Sequence, residues 1–279
     1  MHVDLHCHSV FSDGGFTPEQ IAARAARRGL GAVALTDHDT VAGWERFRAA
    51  CEGAGVEPVI GVELTAEEDG HEVHLLGWCF DPSHPGLAEE LRLCREARRQ
   101  RIHEMTDRLG RLGIALEAET VFTLAGCEAP GRPHVAQALV REGHCRTLQE
   151  AFHRFLRKDS PAWAPKRRLP AARAIELVHA AGGVVAMAHP GLTRRDDLIP
   201  RLVELGLDGL ECWHSAHNRT QAERYLALAN ECRLLITGGS DCHGPAKGQP
   251  LLGSLRVSAS HLHALQERAR EHRTFADSR

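Results

Sequence analysis

Two histidines stand one residue apart near the start of the chain, in the run His6-Cys7-His8. In an extended strand, side chains two residues apart point to the same face, so both imidazoles could bind one cation. A half-exposed strand with incidental histidines explains the pair equally well when it is considered alone. The metal-binding interpretation therefore depends on whether other ligand-type side chains converge on the same place.

Further residues of this kind occur at or just after successive apolar runs of the chain. They are Asp13, His38, Glu63, His74, His189, Asp241 and His243. The carboxyl ends of strands in an α/β barrel meet at one face, and active sites form there. We therefore predict that these side chains line one pocket together with His6 and His8, and that they bind divalent metal ions.

The residue types also predict the class of metal and the number of ions. Histidine nitrogens mixed with carboxylates, without a pair of thiolates, favour manganese, iron or zinc, whereas calcium and magnesium prefer mostly oxygen ligands. Nine candidate ligands exceed what one cation can use. We expect two or three divalent ions, manganese first with iron or zinc as alternatives, and Glu63 as the bridging carboxylate.

Clustered divalent ions are typical of phosphate ester hydrolysis, because they lower the pKa of bound water and bind the oxygens of the displaced phosphate. The sequence contains no GxSxG nucleophile motif and no GxxxxGK[ST] phosphate-binding loop. We predict that Glu63 and Asp241 are essential for catalysis. Asp37, or one of the histidines, is the candidate donor of a proton to the leaving group.

The elements that would position these residues alternate along the chain. Apolar runs predict strands at 1–5, 31–35, 58–62, 71–78, 183–188, 209–212 and 234–237, and residues 253–257 could add a last one. Amphipathic stretches predict helices at 18–28, 41–51, 171–181 and 219–232. This alternation predicts an α/β fold with a parallel, closed or nearly closed barrel of about seven strands. An open doubly wound sheet is the alternative.

Residues 85–165 interrupt the alternation. Helical patterns cover 87–112, 133–141 and 148–156, and no strand pattern lies between them. We interpret this range as a helical insertion that contributes to the substrate site. Residues 1–84 and 166–279 would then form the metal-binding barrel.

Composition argues against several classes of protein. The chain has 279 residues and a net charge of -3, which gives no electrostatic reason to bind duplex DNA. No apolar run is long enough to span a membrane, and the first residues lack a signal-peptide pattern. Nine cysteines without a CxxC pair predict neither a disulfide framework nor a zinc ribbon. We expect a cytoplasmic protein.

Taken in order, five motifs resemble those of the polymerase and histidinol phosphatase (PHP) family of metal-dependent phosphoesterases. They are Asp4-Leu5-His6-Cys7-His8-Ser9, Thr36-Asp37-His38-Asp39, Gly61-Val62-Glu63, Ala188-His189-Pro190 and Gly239-Ser240-Asp241-Cys242-His243-Gly244. The resemblance implies a distorted seven-stranded barrel with a trinuclear site. One metal would be bound by His6, His8, Glu63 and Asp241, a second by Asp13, His38 and His243, and a third by Glu63, His74 and His189. Family members often have histidine where this chain has Asp13.

A narrower resemblance comes from Gly131-Arg132-Pro133-His134, which precedes a predicted helix. It is similar to a bacterial subgroup that acts on nucleoside 3′,5′-bisphosphates and on short RNA from its 5′ end. The resemblance implies that Arg132 and His134 contact the substrate phosphate, and arginine suits such contacts physically. We interpret the basic run 166–168 as a solvated surface. His214 and His217 are weaker candidates for contacts with substrate or metal-bound water.

The predicted function is hydrolysis of a phosphate monoester of a small nucleotide, such as a nucleoside 3′,5′-bisphosphate, by metal-activated water. Two alternatives use the same site: a 5′-3′ exoribonuclease on short single-stranded RNA, and a histidinol-phosphate-type phosphatase. Few aromatic residues, 5%, argue against a long stacking surface for RNA. A non-catalytic metal-binding regulatory module is the alternative from another class, and the presence of every expected ligand argues against it.

Overall fold

The computed structural model describes residues 1–248 and 251–277. Its strands are β1 (His2–Asp4), β2 (Leu30–Leu35), β3 (Glu57–Glu68), β4 (His71–Trp78), β5 (Val184–Met187), β6 (Gly209–His214), β7 (Leu235–Gly239) and β8 (Val257–Ser258). They lie in one sheet in the order β7-β6-β5-β4-β3-β2-β1-β8.

The sheet curves round until β7 meets β1, and we call this junction the seam. The amide of Leu5 donates to the carbonyl of Gly238 at 3.3 Å, and the amide of Asp241 donates to the carbonyl of His6 at 2.9 Å. The predicted α/β barrel is therefore confirmed. Over the described residues the sheet has eight strands rather than about seven. The possible last strand, predicted at 253–257, is the two-residue strand β8 beside β1.

One strand runs against its neighbours. β4 is antiparallel to both β3 and β5, whereas the other neighbouring strands between β1 and β7 are parallel. A two-residue turn with positive φ at Asp69 and Gly70 joins β3 to β4, which is typical of a tight hairpin. The prediction of a parallel sheet is thus wrong at β4. The predicted end of β3 at residue 62 is also wrong, since Glu63 lies inside a longer strand.

The helices alternate with the strands in the first and last parts of the chain. They are α1 (Pro18–Arg27), α2 (Trp44–Ala54), α3 (Pro85–Arg111), α4 (Ala118–Ala125), α5 (Arg132–Arg141), α6 (Leu148–Ala151), α7 (Ala171–Ala180), α8 (Pro190–Thr193), α9 (Leu198–Glu204), α10 (Arg219–Glu231) and α11 (Ala259–Asp277). None of the described helices is long and apolar enough to cross a membrane.

Helices α3 to α6 lie between β4 and β5 and pack on one another. Their apolar side chains form a cluster that includes Ile102, Met105, Leu109, Val121, Val135, Leu139 and Leu156. Helix α3 also reaches the barrel, where its Arg98 donates from Nε to Oδ2 of Asp39 at 2.7 Å. Asp39 follows His38 directly, so this pair connects the helices to a loop of the candidate site described next.

Candidate metal centre

The seam brings together two pairs of predicted ligands from opposite ends of the chain. His6 and His8 follow β1, and Asp241 and His243 follow β7. Oδ1 of Asp241 lies 3.3 Å from Nε2 of His6 and 3.1 Å from Nε2 of His8. Gly239 permits this approach, because a Cβ at that position would stand 2.3 Å from the Cβ of His6.

Glu63 lies at the middle of the group and is 1% exposed. Its Oε2 is 3.3 Å from Nε2 of His6, 3.1 Å from Nε2 of His8 and 3.2 Å from Nδ1 of His38. Its Oε1 is 2.6 Å from Nδ1 of His74 and 2.9 Å from Nε2 of His189. One carboxylate whose two oxygens face different sets of imidazoles has the arrangement expected of a ligand shared between cations.

A second set of ligand atoms surrounds Asp13, in the loop after β1. Oδ1 of Asp13 is 3.1 Å from Nε2 of His243 and 3.9 Å from Nε2 of His38. His8 borders this set as well, with its ring stacked on that of His243 at a centroid distance of 4.1 Å. The structure therefore brings the nine predicted ligands into one continuous cluster. The grouping differs from the one implied by resemblance, because His8 stands between two sets.

The chemistry of this cluster fits divalent metal ions. The four ligand atoms from His6, His8, Glu63 and Asp241 lie within 4.8 Å of one another, as do those from His8, Asp13, His38 and His243. The buried Nδ1 of His189 has no hydrogen-bond partner among the described residues. Imidazole nitrogens and carboxylates at this density form a preferred donor set for manganese, iron or zinc.

Charges within the cluster favour the ionised forms of Glu63 and Asp241. Burial alone would raise the pKa of Glu63, but nearby histidines, His38 foremost, lower it well below the ordinary value. Burial would also raise the pKa of Asp241, and His6 is the leading group that lowers it. Burial opposes charge on His8, yet hydrogen bonds with the two carboxylates raise its pKa to about 9. Because metal ions need deprotonated ligands, binding here would release protons.

Asp37 lies behind the cluster rather than in its cavity. Its Oδ1 accepts from the amide of Ser9 at 2.8 Å and from the hydroxyl of Ser12 at 2.5 Å, and its Oδ2 accepts from the hydroxyl of Ser9 at 2.6 Å. It is 1% exposed. These bonds fix the loop between His8 and Asp13, which gives no support to the prediction that Asp37 donates a proton.

Two buried residues of β6, Glu211 and His214, belong to the site. His214 is a weaker candidate from the sequence, whereas Glu211 is not among the candidates predicted from it. Glu211 lies against His6 and His189, and His214 lies against Asp241. An acidic residue inside the apolar strand Gly209–His214 was the signal for Glu211 in the sequence. His217, by contrast, accepts a hydrogen bond at Nε2 from the amide of Gly191 and donates one from Nδ1 to the carbonyl of Cys212. These bonds make it a structural residue of the α8 region.

The cluster opens into a cavity of about 420 Å³, which we call the metal cavity. Its walls include His38, Glu63, Glu72, His74, His189, Leu192, Thr193, Asp241 and His243. Glu72 is also part of the wall of a second cavity of about 360 Å³. The two cavities are therefore neighbours with one shared side chain.

We call the second one the basic cavity, because cations dominate its polar walls. It is lined by Arg101, Arg132, Lys158, Lys166, Arg167 and Arg168, with Glu67 and Glu72. Nζ of Lys166 is 2.7 Å from Oε1 of Glu72, whose same oxygen is 3.2 Å from Nε2 of His74. The prediction that residues 166–168 form a solvated surface is wrong for Lys166, which is 23% exposed, and fits Arg168, which is 74% exposed.

The two residues of the RPH motif have different positions. Arg132 lines the basic cavity and reaches the carbonyl of Leu156 at 3.4 Å. His134 is 6% exposed, and its Nδ1 accepts from the amide of Gly131 at 3.0 Å, so it caps the first turn of α5. Only Arg132 of this pair lies in the described walls of the basic cavity.

Sequence comparison relates the chain to several bacterial enzymes. The PHP domain family matches residues 4–157. A 5′-3′ exoribonuclease of Haemophilus influenzae is 34% identical over 247 residues, covering 87% of this chain and 90% of that protein. A phosphoribosyl 1,2-cyclic phosphate 1,2-diphosphodiesterase of Eggerthella lenta is 36% identical over 260 residues, covering 92% and 99%. A 3′,5′-nucleoside bisphosphate phosphatase of Chromobacterium violaceum is 32% identical over 257 residues, covering 88% and 89%.

Structural comparison leads to the same kind of enzyme as the sequence comparison. A crystal structure from Bifidobacterium adolescentis, described as a metal-dependent phosphoesterase, has a TM-score of 0.88 and 36% sequence identity. The match covers 95% of this chain and 96% of that one. The similarity thus extends over the barrel and the helices α3 to α6.

Proposed function

Because this chain belongs to the PHP domain family and is a metal-dependent phosphoesterase, we propose that it removes one phosphate from a small nucleotide that carries two, such as a nucleoside 3′,5′-bisphosphate. The observation that carries this proposal is the shared wall between the metal cavity and the basic cavity. A bisphosphate could present its reacting phosphate to the first and its other phosphate to the second.

We assign the nine clustered residues as ligands of two or three divalent ions, manganese first and iron or zinc as alternatives. His6, His8, Glu63 and Asp241 would hold one ion, with further ions held near Asp13, His38 and His243 and near His74 and His189. Such ions supply Lewis acidity, which activates water and neutralises the charge of the reacting phosphate. Glu63, whose carboxylate faces several histidines at once, fixes the positions of these ligands relative to one another.

The protein's own cations orient the substrate. Arg132 can make two parallel hydrogen bonds to one phosphate, because its guanidinium is planar. Lys166 adds a positive charge on the Glu72 side of the basic cavity, and burial lowers its pKa. A desolvated cation attracts a phosphate more strongly than one in bulk water. Arg132 and Lys166 therefore favour a doubly phosphorylated substrate over one with a single phosphate.

We also propose that residues 85–165 act as a substrate-binding insertion in a barrel formed by 1–84 and 166–279. Arg101 and Arg132 come from this range, while Lys166 and the metal ligands come from the barrel parts. The ion pair of Arg98 with Asp39 fixes α3 beside the loop that carries His38. The insertion would thus position the non-reacting phosphate relative to the metal ions.

The test compares a nucleoside 3′,5′-bisphosphate with the matching monophosphates in the presence of Mn²⁺. We expect kcat/KM to be higher for the bisphosphate by a factor of about 10 to 100, since each hydrogen bond to a charged group contributes roughly 1.5–3 kcal/mol. Arg132→Gln should remove most of this preference. Arg219→Gln is the matched control, because the Arg219 side chain is 91% exposed. Equal rates on the bisphosphate and the monophosphates would contradict the proposal.

A second candidate is a 5′-3′ exoribonuclease on short single-stranded RNA. It is favoured by the 34% identity to the Haemophilus influenzae exoribonuclease over 90% of that protein. The basic cavity would then hold the next phosphodiester of the strand. Measuring kcat/KM on the bisphosphate and on a 5′-phosphorylated trinucleotide distinguishes the two candidate functions. An exoribonuclease should have the higher kcat/KM on the trinucleotide, and a bisphosphate phosphatase on the bisphosphate.

A further inference from the structure

We propose that Glu211 and His214 are positioning residues that hold His6 and Asp241 in the form that binds metal. Neither lies in the described walls of the metal cavity, so they would act through the ligands and not on the substrate. This inference rests on the metal assignment made in the proposed function. It adds to that assignment a supporting layer supplied by one strand, β6.

Glu211 fixes the hydrogen position of His6. It is fully buried, with Oε1 at 3.0 Å from Nδ1 of His6. An ionised carboxylate can only accept hydrogen bonds, so Nδ1 of His6 carries the hydrogen. When a metal replaces the proton on Nε2, the lone pair of Nε2 is directed to the side of Glu63 and Asp241, which is the form a metal ligand needs.

The second oxygen of Glu211 holds another ligand in place. Its Oε2 accepts from the backbone amide of His189 at 2.7 Å. His189 has φ of 29°, in the left-handed region where residues other than glycine are strained. One carboxylate thus orients a ligand ring on β1 and fixes the backbone of a ligand that follows β5.

His214 packs against Asp241 through a looser contact. Nδ1 of His214 accepts from the amide of Ala216 at 3.0 Å, so in the neutral ring the hydrogen lies on Nε2. Nε2 is 3.3 Å from Oδ2 of Asp241, outside hydrogen-bond geometry, and has no hydrogen-bond partner among the described residues, and His214 is 2% exposed. The contact places the buried imidazole behind Oδ2, while Oδ1 of Asp241 faces His6 and His8.

A β-bulge makes this arrangement possible. Glu211 pairs with Thr237 and Trp213 pairs with Gly238, so Cys212 is an extra residue in β6. In a regular strand, residues three apart point to opposite faces. The bulge re-aims His214, so that both it and Glu211 face the metal ligands.

The same atoms could be suspected of forming a further cation site, because those of His6, Glu211 and His214 lie within 4.8 Å of one another. The hydrogen positions argue against this. Nδ1 of His6 donates to Glu211, so this nitrogen offers no lone pair to a cation beside Glu211.

The test measures Mn²⁺ affinity of the metal-free protein by calorimetric titration. In Glu211→Gln the side chain keeps its shape but only one oxygen acceptor, so it can satisfy at most one of its two donors. We expect Mn²⁺ affinity to fall by about 10- to 100-fold. Glu231→Gln, at an exposed position on α10, is the matched control and should bind Mn²⁺ like the wild type.

A second variant and a spectroscopic measurement complete the test. His214→Gln should also weaken Mn²⁺ binding, and it carries the test if Glu211→Gln does not fold. In the Zn²⁺-loaded wild type, ¹⁵N NMR should place the hydrogen of His6 on Nδ1 and that of His214 on Nε2. Wild-type affinity in a folded variant, or the opposite hydrogen positions, would overturn the inference. A wild type that binds none of Mn²⁺, Fe²⁺ and Zn²⁺ would instead overturn the proposed function, and this inference with it.

Discussion

The Nε2 atoms of His6 and His8 lie 3.1 Å apart, and each also faces Glu63 and Asp241 within 3.3 Å. When both rings are neutral, as metal ligands must be, the lone pairs of the two Nε2 atoms point at one small volume. Such an arrangement is stable only with positive charge between the atoms. Without metal, protons supply that charge: burial lowers the pKa of His8, but hydrogen bonds with Asp241 and Glu63 raise it to about 9.

Metal binding should stabilise the fold, because the ligands come from distant segments. At a free Mn²⁺ concentration of 100 times Kd, the folded state gains about 2.7 kcal/mol. The midpoint temperature of thermal unfolding should therefore rise by several degrees when Mn²⁺ is added and fall back to its initial value when a chelator is added. Asp241→Asn should abolish most of the shift, whereas Asp107→Asn, at an exposed position on α3, should keep it. An unchanged shift in Asp241→Asn would exclude Asp241 as a ligand.

Glu63→Gln should nearly eliminate turnover while the protein stays folded. Neutralising this carboxylate removes the charge shared by the surrounding ligands, and loss of an ion that contributes several kcal/mol implies a decrease in kcat of roughly 10³-fold. Steady-state hydrolysis with saturating Mn²⁺ measures this. Glu57→Gln, an exposed position at the start of the same strand, is the control and should retain full activity. Comparable kcat values for the two variants would contradict the bridging assignment.

Gly239→Ala should destabilise the protein and weaken metal binding together. The added Cβ would stand 2.3 Å from the Cβ of His6 and 2.4 Å from its amide nitrogen, so the seam must open to admit it. We expect a loss of several kcal/mol in the free energy of unfolding, as for other overpacked buried positions. Gly53→Ala, in α2 with nothing near the new Cβ, should stabilise by about 0.5–1 kcal/mol. Urea unfolding of both variants decides the matter.

The far side of the barrel contains a pH-dependent contact between α11 and the start of β6. Nε2 of His272 is 3.4 Å from Oδ1 of Asp208, and Nδ1 of His272 donates to the carbonyl of Gly183 at 2.7 Å. The hydrogen bond with Asp208 is the leading cause that raises the pKa of His272 above its ordinary 6.5. The contact therefore stabilises fully below pH 6.5, and this stabilisation is lost as pH rises through the higher pKa of the folded state.

Unfolding free energies of wild type and His272→Gln, measured between pH 5.5 and 9, should differ most at the acid end and converge at the alkaline end. His263→Gln is the control, because His263 is an exposed residue of the same helix. Arg268 and His179 also face Asp208 and are present in all three proteins, so the difference measures His272 together with its coupling to these two residues. A difference that stays constant with pH would refute the charge on His272.

The clustering of ligands could be predicted from sequence because it depends on local patterns. His6 and His8 alternate along an extended segment, and Asp241 follows an apolar run that ends in two glycines. In a barrel, such positions meet at one face whatever the details of packing. The alternation of strands and helices predicted the barrel for the same reason.

The parts that could not be predicted depend on contacts between distant segments. The strand that contains His74 was predicted at 71–78, but its reversed direction, which sets His74 beside Glu63, was not. The bulge that turns His214 inward exists only through pairing with β7. Lys166 reads as a surface residue until Glu72, 94 residues earlier, is placed beside it. Each of these facts is a property of the assembled sheet, not of a sequence window.

The seam determines when the site can form during translation. His6 is translated first, and its contact partner Asp241 follows more than two hundred residues later. A growing polypeptide that has not yet delivered β7 to the barrel holds an incomplete set of chelating groups. Phosphoesterase activity therefore requires β7. Fragments released before β7 is translated should not hydrolyse the phosphate ester and should bind the divalent metal ions weakly.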